Sequence, residues 1–305
     1  MKRASACAGR RASSLLLTLF LLLASSLNCS TAFAQDGSEK AKPVLSPELP
    51  LYPLDLAVAG DGTVYVVDLN LHGVWRWKDG ELSVLFEGSP QYRTPLNAPR
   101  CIAIDVDGSV LVGDSATREI YRFDKDGKPQ PITNGKIGVP MDLAVAKDGT
   151  IYVADLELRR LFRIPPGTGD VEEVAKNNPR GVSVDAKGQI WVVSQDKEQL
   201  QVLGSDGSAD AVVSTREFQF PHQVAVLDDG TALVTDGYAK ALWRVKPDGK
   251  PEKVLEGKPL DNPVGITRAG DDLMLVDPRV RKVFRIEVAE DGSLGELQEV
   301  FEVKR

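Results

Sequence analysis

The chain has 305 residues, of which 42% are hydrophobic, 27% are charged and only 6% are aromatic, with 27 glycines and 19 prolines. This is the composition of a soluble globular protein, and it excludes a disordered chain, a polytopic membrane protein and a small disulfide-stapled domain. The formal net charge is −7, and the length allows one large domain or two of average size. The many Gly and Pro residues favour short strands and turns over helices.

The first 34 residues have the pattern of a secretory signal peptide. Four basic residues precede an apolar run from Leu15 to Leu23, and the small residues up to Ala34 are typical of a cleavage site. The apolar stretch ends at Leu27, which is too short for a spanning helix, so we expect no stable membrane insertion. Cys29 is a weaker candidate for lipid attachment, and Arg10-Arg11 permits a twin-arginine route. We predict export to the periplasm or the extracellular space.

Removing residues 1–34 changes the charge and the cysteine content. Four basic residues and no acidic ones are lost, so the remaining chain carries a net charge of −11. An acidic domain has no general attraction to nucleic acid or to an anionic membrane surface. Cys101 is then the only cysteine, which rules out an intrachain disulfide. We expect a monomer that begins with a short leader, residues 35–51.

One unit of about 42 residues occurs six times between residues 52 and 305. Each copy has a proline, a run of alternating residues, a turn and a second apolar run, as in PLDLAVAGDGTVYVVD and PMDLAVAKDGTIYVAD, followed by two further predicted strands. This period is typical of a blade of four short antiparallel strands, so the chain is predicted to be an all-β, six-bladed β-propeller. The blades are predicted to start near Pro53, Pro99, Pro140, Pro179, Pro221 and Pro263.

The predicted first strand of each unit carries a large side chain on one face and a small one on the other. We expect the large row of each blade to pack on the small row of its neighbour, with this strand innermost. The large row is Leu56, Ile102, Leu143, Val182, Val224 and Ile266, and the small row is Ala57, Ala103, Ala144, Ser183, Ala225 and Thr267.

An aspartate ends the second strand of five units, and an arginine follows it eight residues later. The fourth unit has Ser194 and Val202 at these positions and lacks both charges. This joint loss predicts a charge-assisted pair across the hairpin, or one bridged within it. A copy in each of five blades favours a structural role over a catalytic one. The predicted pairs are Asp68 with Arg76, Asp114 with Arg122, Asp155 with Arg163, Asp236 with Arg244, and Asp277 with Arg285.

The units, in outline P-x-G-I-x-V-x-x-x-G-x-V-Y-V-x-D, resemble NHL repeats, whose known members form six-bladed β-propellers. The resemblance covers residues 53 to about 303. It implies an architecture more than an activity, because the family includes binding modules and enzymes.

Three groups of related enzymes can be compared with these residues. Peptidylglycine amidating lyases hold zinc with three histidines, whereas this sequence has only His72 and His222. Gluconolactonase-like enzymes hold a divalent cation with a Glu, two Asn and an Asp, and their Pro-Asn-Gly segment is missing here. The His and Glu pattern of virginiamycin B lyases is matched only by His222. None of the three activities follows from the residues.

Residues one and two positions after the blade prolines are expected to crowd the mouth of the central channel. In one interpretation they solvate the pore and pair with one another. In the other, Arg100 and Arg180 bind an anionic group, Asp55 and Asp142 accept hydrogen bonds or hold a divalent cation, and His222 is a possible general base. The predicted ligand-binding residues are Asp55, Arg100, Asp142, Arg180, His222 and Gln223.

The charge of the same face suggests a kind of partner. The loops between second and third strands contain eight basic and four acidic residues, which would attract an acidic carbohydrate, a peptide or a protein. The first functional hypothesis is therefore an exported propeller that binds a ligand or protein without chemistry. The second is an extracytoplasmic lactonase or lyase with a divalent cation at Asp55 and Asp142.

Two further features bear on the mouth. The connection from Ser89 to Ala98 contains Tyr92 and Arg93 and is either a lid or an ordinary surface loop. Cys101 is expected to be a small inward-facing residue rather than a nucleophile.

Overall fold

The structure is a computed structural model that describes residues 50–91, 93–204 and 207–305. The predicted signal peptide with Cys29, most of the leader, and Tyr92 of the predicted lid lie outside these residues. The described chain contains 24 β-strands and no helix, so it also contains no helix that could span a membrane.

The first three blades follow one another directly along the chain. Blade 1 consists of β1 (Pro53–Val58), β2 (Val64–Asp68), β3 (Gly73–Lys78) and β4 (Glu81–Glu87). Blade 2 consists of β5 (Pro99–Ile104), β6 (Val110–Asp114), β7 (Glu119–Phe123) and β8 (Pro129–Pro131). Blade 3 consists of β9 (Pro140–Val145), β10 (Ile151–Asp155), β11 (Arg160–Ile164) and β12 (Glu172–Ala175).

The last three blades repeat the same arrangement. Blade 4 consists of β13 (Pro179–Val184), β14 (Ile190–Ser194), β15 (Leu200–Leu203) and β16 (Ala209–Val213). Blade 5 consists of β17 (Pro221–Val226), β18 (Ala232–Asp236), β19 (Ala241–Val245) and β20 (Pro251–Glu256). Blade 6 consists of β21 (Gly265–Ala269), β22 (Asp272–Asp277), β23 (Lys282–Val288) and β24 (Leu294–Glu302).

The six sheets form the predicted six-bladed β-propeller. Within each sheet the four antiparallel strands lie in chain order, with the first strand innermost. Each first strand contacts the first strand of the next blade, and β1 contacts β21, which closes the ring. A closed ring protects most strand edges from pairing with other chains.

The predicted packing of large on small side chains is confirmed at several blade interfaces. Ala57 of blade 1 packs with Ile102 of blade 2, and Ala225 of blade 5 packs with Ile266 of blade 6. Tight interdigitation of this kind supplies the apolar burial that replaces a single central core.

Among the described residues, the ring closes between blades 1 and 6 without any exchange of strands. Blade 6 consists only of C-terminal residues, and its outer strand β24 pairs with β23. Trp77 stacks on Phe301 with ring centroids 5.3 Å apart, and Arg305 pairs with Glu87 at 2.7 Å. Side-chain packing, and not a shared sheet, therefore closes this ring.

The repeated aspartates are buried caps for the loops on one face of the ring. Asp155 is fully buried and accepts hydrogen bonds from the backbone N–H groups of Gly138 (2.5 Å), Val139 (3.2 Å) and Leu158 (2.9 Å). These donors lie in the connection from the previous blade and in the following loop. Each such aspartate thus fastens two loops through backbone donors that would otherwise be unsatisfied.

The predicted pairing of these aspartates with the repeated arginines is wrong. Arg163 lies opposite Tyr152, whereas Asp155 lies opposite Arg160, which is three positions before Arg163 in β11. An odd number of positions along a strand places two side chains on opposite faces of the sheet. Arg163 instead pairs with Glu172 at 2.7 Å. In the other blades Arg122 pairs with Asp105, Arg244 with Glu252 and Arg285 with Asp272, and Arg76 lies opposite Tyr65.

The different roles of the two residues can be tested by mutation. Asp155→Ala should lower the free energy of unfolding by about 2–4 kcal/mol, because it leaves buried backbone donors without an acceptor. Arg163→Ala should cost less than about 1 kcal/mol, because its ion pair is exposed. Urea denaturation of both variants and of the double variant measures these values. A coupling energy well above zero in the double-mutant cycle would contradict the independence of the two residues.

Candidate functional site

A β-bulge at the start of each of the first five blades aims one side chain at the channel mouth. In blade 1, Pro53 pairs with Asp68 and Asp55 pairs with Val67, so Leu54 has no partner across the strand pair. A bulge of this type reorients the extra residue. The residues that directly follow the six prolines line one cavity of about 180 Å³, which we call the mouth cavity: Leu54, Arg100, Met141, Arg180, His222 and Val264.

The structure divides the predicted site residues into two layers. Arg100, Arg180 and His222 line the mouth cavity, whereas Asp55 and Asp142 lie in a deeper layer on the axis and line the channel beyond it. Gln223 borders both cavities. The prediction that all six residues share the mouth is therefore wrong, because successive residues at the bulge point in different directions.

Arg180 is a buried cation without a carboxylate partner among the described residues. Its side chain belongs to a residue that is only 9% exposed, and its Nε has no hydrogen-bond acceptor. The guanidinium lies 4.5 Å from the centroid of the Phe220 ring. Desolvation, and then the charge of Arg100, lower the pKa of Arg180 to about 10, so it remains a cation near neutral pH.

Arg100 and His222 complete the polar part of the cavity. Arg100 Nε donates a hydrogen bond to Ser115 Oγ at 3.1 Å. His222 packs edge-on against Phe220 with centroids 5.0 Å apart. Burial and the nearby Arg180 lower the pKa of His222 to about 3. The imidazole is therefore neutral near pH 7 and is a poor proton acceptor, which argues against its predicted use as a general base.

Asp55, Asp142 and Gln223 form an axial layer, in which each residue joins its own blade to the next one. Asp55 accepts the N–H of Leu56 in its own blade (2.8 Å) and that of Ile102 in the next blade (2.9 Å). Asp142 repeats this arrangement between blades 3 and 4 with Leu143 (2.9 Å) and Val182 (2.8 Å). Gln223 accepts the N–H of Ile266 at 2.8 Å and donates to Asp142 Oδ1 at 2.9 Å.

The even-numbered blades have small residues where the odd-numbered blades have these polar side chains. The corresponding residues are Cys101, Gly181 and Gly265. A Cβ at Gly181 would lie 2.5 Å from His222 O and 2.8 Å from Gln223 Cα, and a Cβ at Gly265 would lie 2.9 Å from Asp55 Cα. The small residues thus provide the space in which the neighbouring backbone and polar side chain fit.

Burial changes the proton affinity of the axial layer. Desolvation raises the pKa of Asp55 to about 7, against the opposing effect of its hydrogen bonds to Ile102, Gln223 and Leu56. Desolvation, and then the charge of Asp55, raise the pKa of Asp142. Like charges in a shared dry site favour retention of a proton. The two carboxyl groups therefore carry less than their full negative charge near neutral pH.

The carboxylate oxygens of the axial layer are engaged by the main chain. Both oxygens of each carboxylate already accept main-chain hydrogen bonds. Within residues 50–91, 93–204 and 207–305, no three His, Cys, Asp or Glu residues gather in a group that could hold a metal ion. Asp55 and Asp142 thus have no third carboxylate, histidine or cysteine placed to hold a metal ion with them in the described part of the chain.

Most basic residues of the loops on the mouth face have acidic partners. Arg118 pairs with Glu157 at 3.1 Å, and Lys240 and Arg279 share Asp261. The net charge of these loops is therefore largely balanced within the face. The same holds for Arg159, Arg160, Arg281 and Lys282, which pair with Asp196, Glu173, Glu302 and Glu299.

The predicted lid and thiol have structural roles in the described residues. Leu96 is buried in the core between blades 1 and 2, and Asn97 Nδ2 donates to Ser89 O at 3.0 Å, so the described part of this connection is anchored. Cys101 is fully buried. Desolvation and the charges of Asp55 and Asp142 raise the pKa of the Cys101 thiol, which is the opposite of nucleophile activation.

Three aromatic residues near the mouth, Tyr52, Phe220 and Tyr238, were not predicted from the sequence. Phe220 contacts Arg180 and His222, and Tyr238 stacks on Phe220 with ring centroids 4.5 Å apart. Tyr52 also lines the mouth cavity. Tyr52 and Phe220 both directly precede a blade proline, so the repeat alignment could have identified them, whereas Tyr238 lies in a loop outside the repeat pattern.

Comparison with known proteins supports the architecture and leaves the activity open. No protein-family model matches the chain. A gluconolactonase from Xanthomonas campestris superposes with a TM-score of 0.63 at 19% identity, over 76% of this chain and 84% of that one. A virginiamycin B lyase from Staphylococcus aureus has a TM-score of 0.60 at 17% identity, over 83% and 85% of the two chains. At this level of identity, such likenesses define the fold alone.

The amino-acid sequence is also similar to peptidylglycine α-amidating monooxygenases. The form B protein of Xenopus laevis is 27% identical over 232 residues, which is 64% of this chain and 26% of that protein. The Mus musculus protein is 26% identical over 230 residues, or 63% and 23% of the two chains. The chain therefore spans about a quarter of the length of these relatives.

The raised pKa values of the axial carboxyl groups predict a pH dependence of stability. The unfolded chain loses its Asp55 proton near pH 3.8, whereas the folded chain holds it to about pH 7. This contribution to stability is complete below pH 3.8 and is lost as the pH rises through about 7. His222 has the opposite effect between about pH 3 and pH 6.5. The free energy of unfolding should therefore fall as the pH rises above 6.5, by less than about 1 kcal/mol in total from Asp55, which is largely ionised above pH 7, and further as Asp142 loses its proton.

Urea denaturation from pH 6.5 to about pH 8.5 measures this slope. Asp55→Asn should reduce it by about half or more, because the variant removes one titrating group and also the charge that raises the pKa of Asp142. Asp61→Asn is the control, since Asp61 is exposed and its pKa is lowered, so it is ionised throughout the range. An unchanged slope in Asp55→Asn would show that the axial layer does not bind the proton.

Proposed function

We propose that this protein is an exported propeller that binds a small anionic ligand, a carboxylate, in its mouth cavity. The observation that carries the proposal is the buried Arg180, whose Nε lacks an acceptor although its residue is only 9% exposed. Buried charges normally have a partner, because an uncompensated one costs several kcal/mol. A bound carboxylate would compensate the charge of this guanidinium group.

The surroundings of Arg180 support an anion over other ligands. A second cation, Arg100, lies close enough to lower the pKa of Arg180. The neighbouring His222 is neutral and can donate a hydrogen bond without adding charge. The arginines also differ from the loop cations of the same face, which already pair with carboxylates. Two guanidinium groups without a carboxylate partner among the described residues are suited to a bound carboxylate, which accepts paired hydrogen bonds from an arginine fork.

The rest of the cavity favours a ligand with an apolar part. Leu54, Met141 and Val264 line it together with the polar residues. Small-molecule sites combine apolar walls with polar groups that fix the orientation of the ligand. Binding without chemistry is the function that these residues support.

Arginine variants test this proposal in binding assays with paired probes. Propionate, 3-phenylpropionate and galacturonate are each compared with a neutral partner, namely propionamide, 3-phenylpropionamide and galactose. Wild-type protein should prefer each carboxylate to its neutral partner in calorimetry or NMR titration. Arg180→Gln should weaken carboxylate binding by about 10- to 100-fold, through loss of charge-assisted hydrogen bonds. Arg180→Lys should recover only part of it, because lysine lacks the planar fork.

Arg159→Gln is the matched control. It changes the net charge equally on the same face, but Arg159 is exposed and pairs with Asp196 at 3.8 Å. Its carboxylate affinity should stay within about twofold of wild type, as expected for an exposed charge. Equal losses of carboxylate affinity in Arg159→Gln and Arg180→Gln would show that only the net charge of the face matters, which would contradict a specific site at Arg180. The proposal would also be refuted if wild-type protein preferred none of the carboxylates to its neutral partner.

A further inference from the structure

We infer that the ligand of the mouth cavity is a ring-bearing carboxylate, whose carboxylate enters the cavity and whose ring stacks on Tyr238 at the rim. This inference rests on the proposed function and adds the class of ligand. It depends on the size of the cavity and on one exposed aromatic side chain.

The mouth cavity is too small to enclose most ligands. Its volume is about 180 Å³, whereas sites that bury a drug-sized ligand have about 300–1,000 Å³. The cavity therefore accommodates the charged end of a ligand and leaves the remainder outside. Below it, the axial layer with Gln223 separates the mouth from the rest of the channel, so a ligand extends outward over the rim.

Tyr238 is a large solvent-exposed side chain next to Phe220, which contacts Arg180 and His222 of the mouth cavity. It is 64% exposed, and the other exposed large hydrophobic residues of the described chain lie elsewhere. Val84 is in the outer strand β4, and Val106 follows β5 at the end opposite the mouth. An exposed aromatic ring beside a cavity offers a stacking surface for a flat ligand.

Tyr238 is held in place next to the cationic residues of the cavity. Its ring stacks on Phe220 at 4.5 Å with an interplanar angle of 19°. Phe220 in turn contacts the Arg180 guanidinium at 4.5 Å. The Tyr238 ring is therefore preorganised one ring away from the cation that would hold the carboxylate. Preorganised aromatic surfaces bind without much loss of side-chain entropy.

Two kinds of ligand share this chemistry. An aromatic acid presents a π face to Tyr238, and a uronic acid presents the C–H face of a sugar ring. Both place a carboxylate a short distance from a flat surface. The probes 3-phenylpropionate and galacturonate represent these two sources, and propionate supplies the carboxylate without a ring.

The test compares Tyr238→Ala and Tyr238→Phe with wild type in the same titrations. Tyr238→Ala should lower the affinity for one of the two ring acids by about 3- to 10-fold. Its affinity for propionate should be unchanged. Tyr238→Phe keeps the stacking surface and should bind like wild type. Because Tyr238 is exposed, both variants should keep the wild-type melting temperature. The ring acid whose binding is weakened in Tyr238→Ala shows whether the site takes an aromatic acid or a uronic acid.

The outcomes separate this inference from the proposed function. If carboxylates bind and depend on Arg180, but neither ring acid binds more tightly than propionate, the inference is wrong and the proposed function stands. The same conclusion follows if Tyr238→Ala binds both ring acids as wild type does. If no carboxylate binds wild type better than its neutral partner, the proposed function fails, and the inference fails with it.

Discussion

The structure depends on how the backbone donors at the axis are satisfied. Each innermost strand turns one edge toward the channel, and N–H groups on that edge have no neighbouring strand. Two aspartates and one glutamine accept five of these hydrogen bonds, and each acceptor links its own blade to the next. The glutamine accepts one bond and uses its amide to bridge toward the carboxyl groups. An amide here avoids a third negative charge in a dry site.

The axial layer explains why the residues two positions after the blade prolines differ from one repeat to the next. Gly181 and Gly265 alternate with the polar residues because neighbouring atoms occupy the space of a larger side chain. The bulge that places Asp55 on the axis also aims Leu54 at the mouth. One local backbone feature, repeated around the ring, therefore produces both the floor of the mouth cavity and its walls.

The fold was predictable because its causes are local and periodic. Proline starts, turn glycines and alternating rows repeat at a fixed period, and the large-on-small packing of Ile102 on Ala57 follows from them. The site was predictable only in part. Arg100, Arg180 and His222 were correctly assigned to the mouth, but Asp55 and Asp142 were not, because the repeat does not reveal a bulge. The hydrogen-bond donors to Asp155 were missed because they are backbone N–H groups, and a pattern of side chains does not reveal these. Tyr238 lies outside the repeat, so only its contact with Phe220 relates it to the site.

The state of the axial layer also bears on why the mouth arginines lack a counter-charge. Carboxyl groups are present beneath the mouth, but main-chain donors occupy their oxygens, and burial makes them retain protons. A neutral or half-neutral floor cannot balance the charge of Arg180. Its burial on Phe220 lowers the pKa but leaves the group a cation. Cation–π contact compensates only part of the lost hydration. The remaining cost is what the carboxylate of the proposed function would remove, so the proposal depends on the same axial layer that joins the blades.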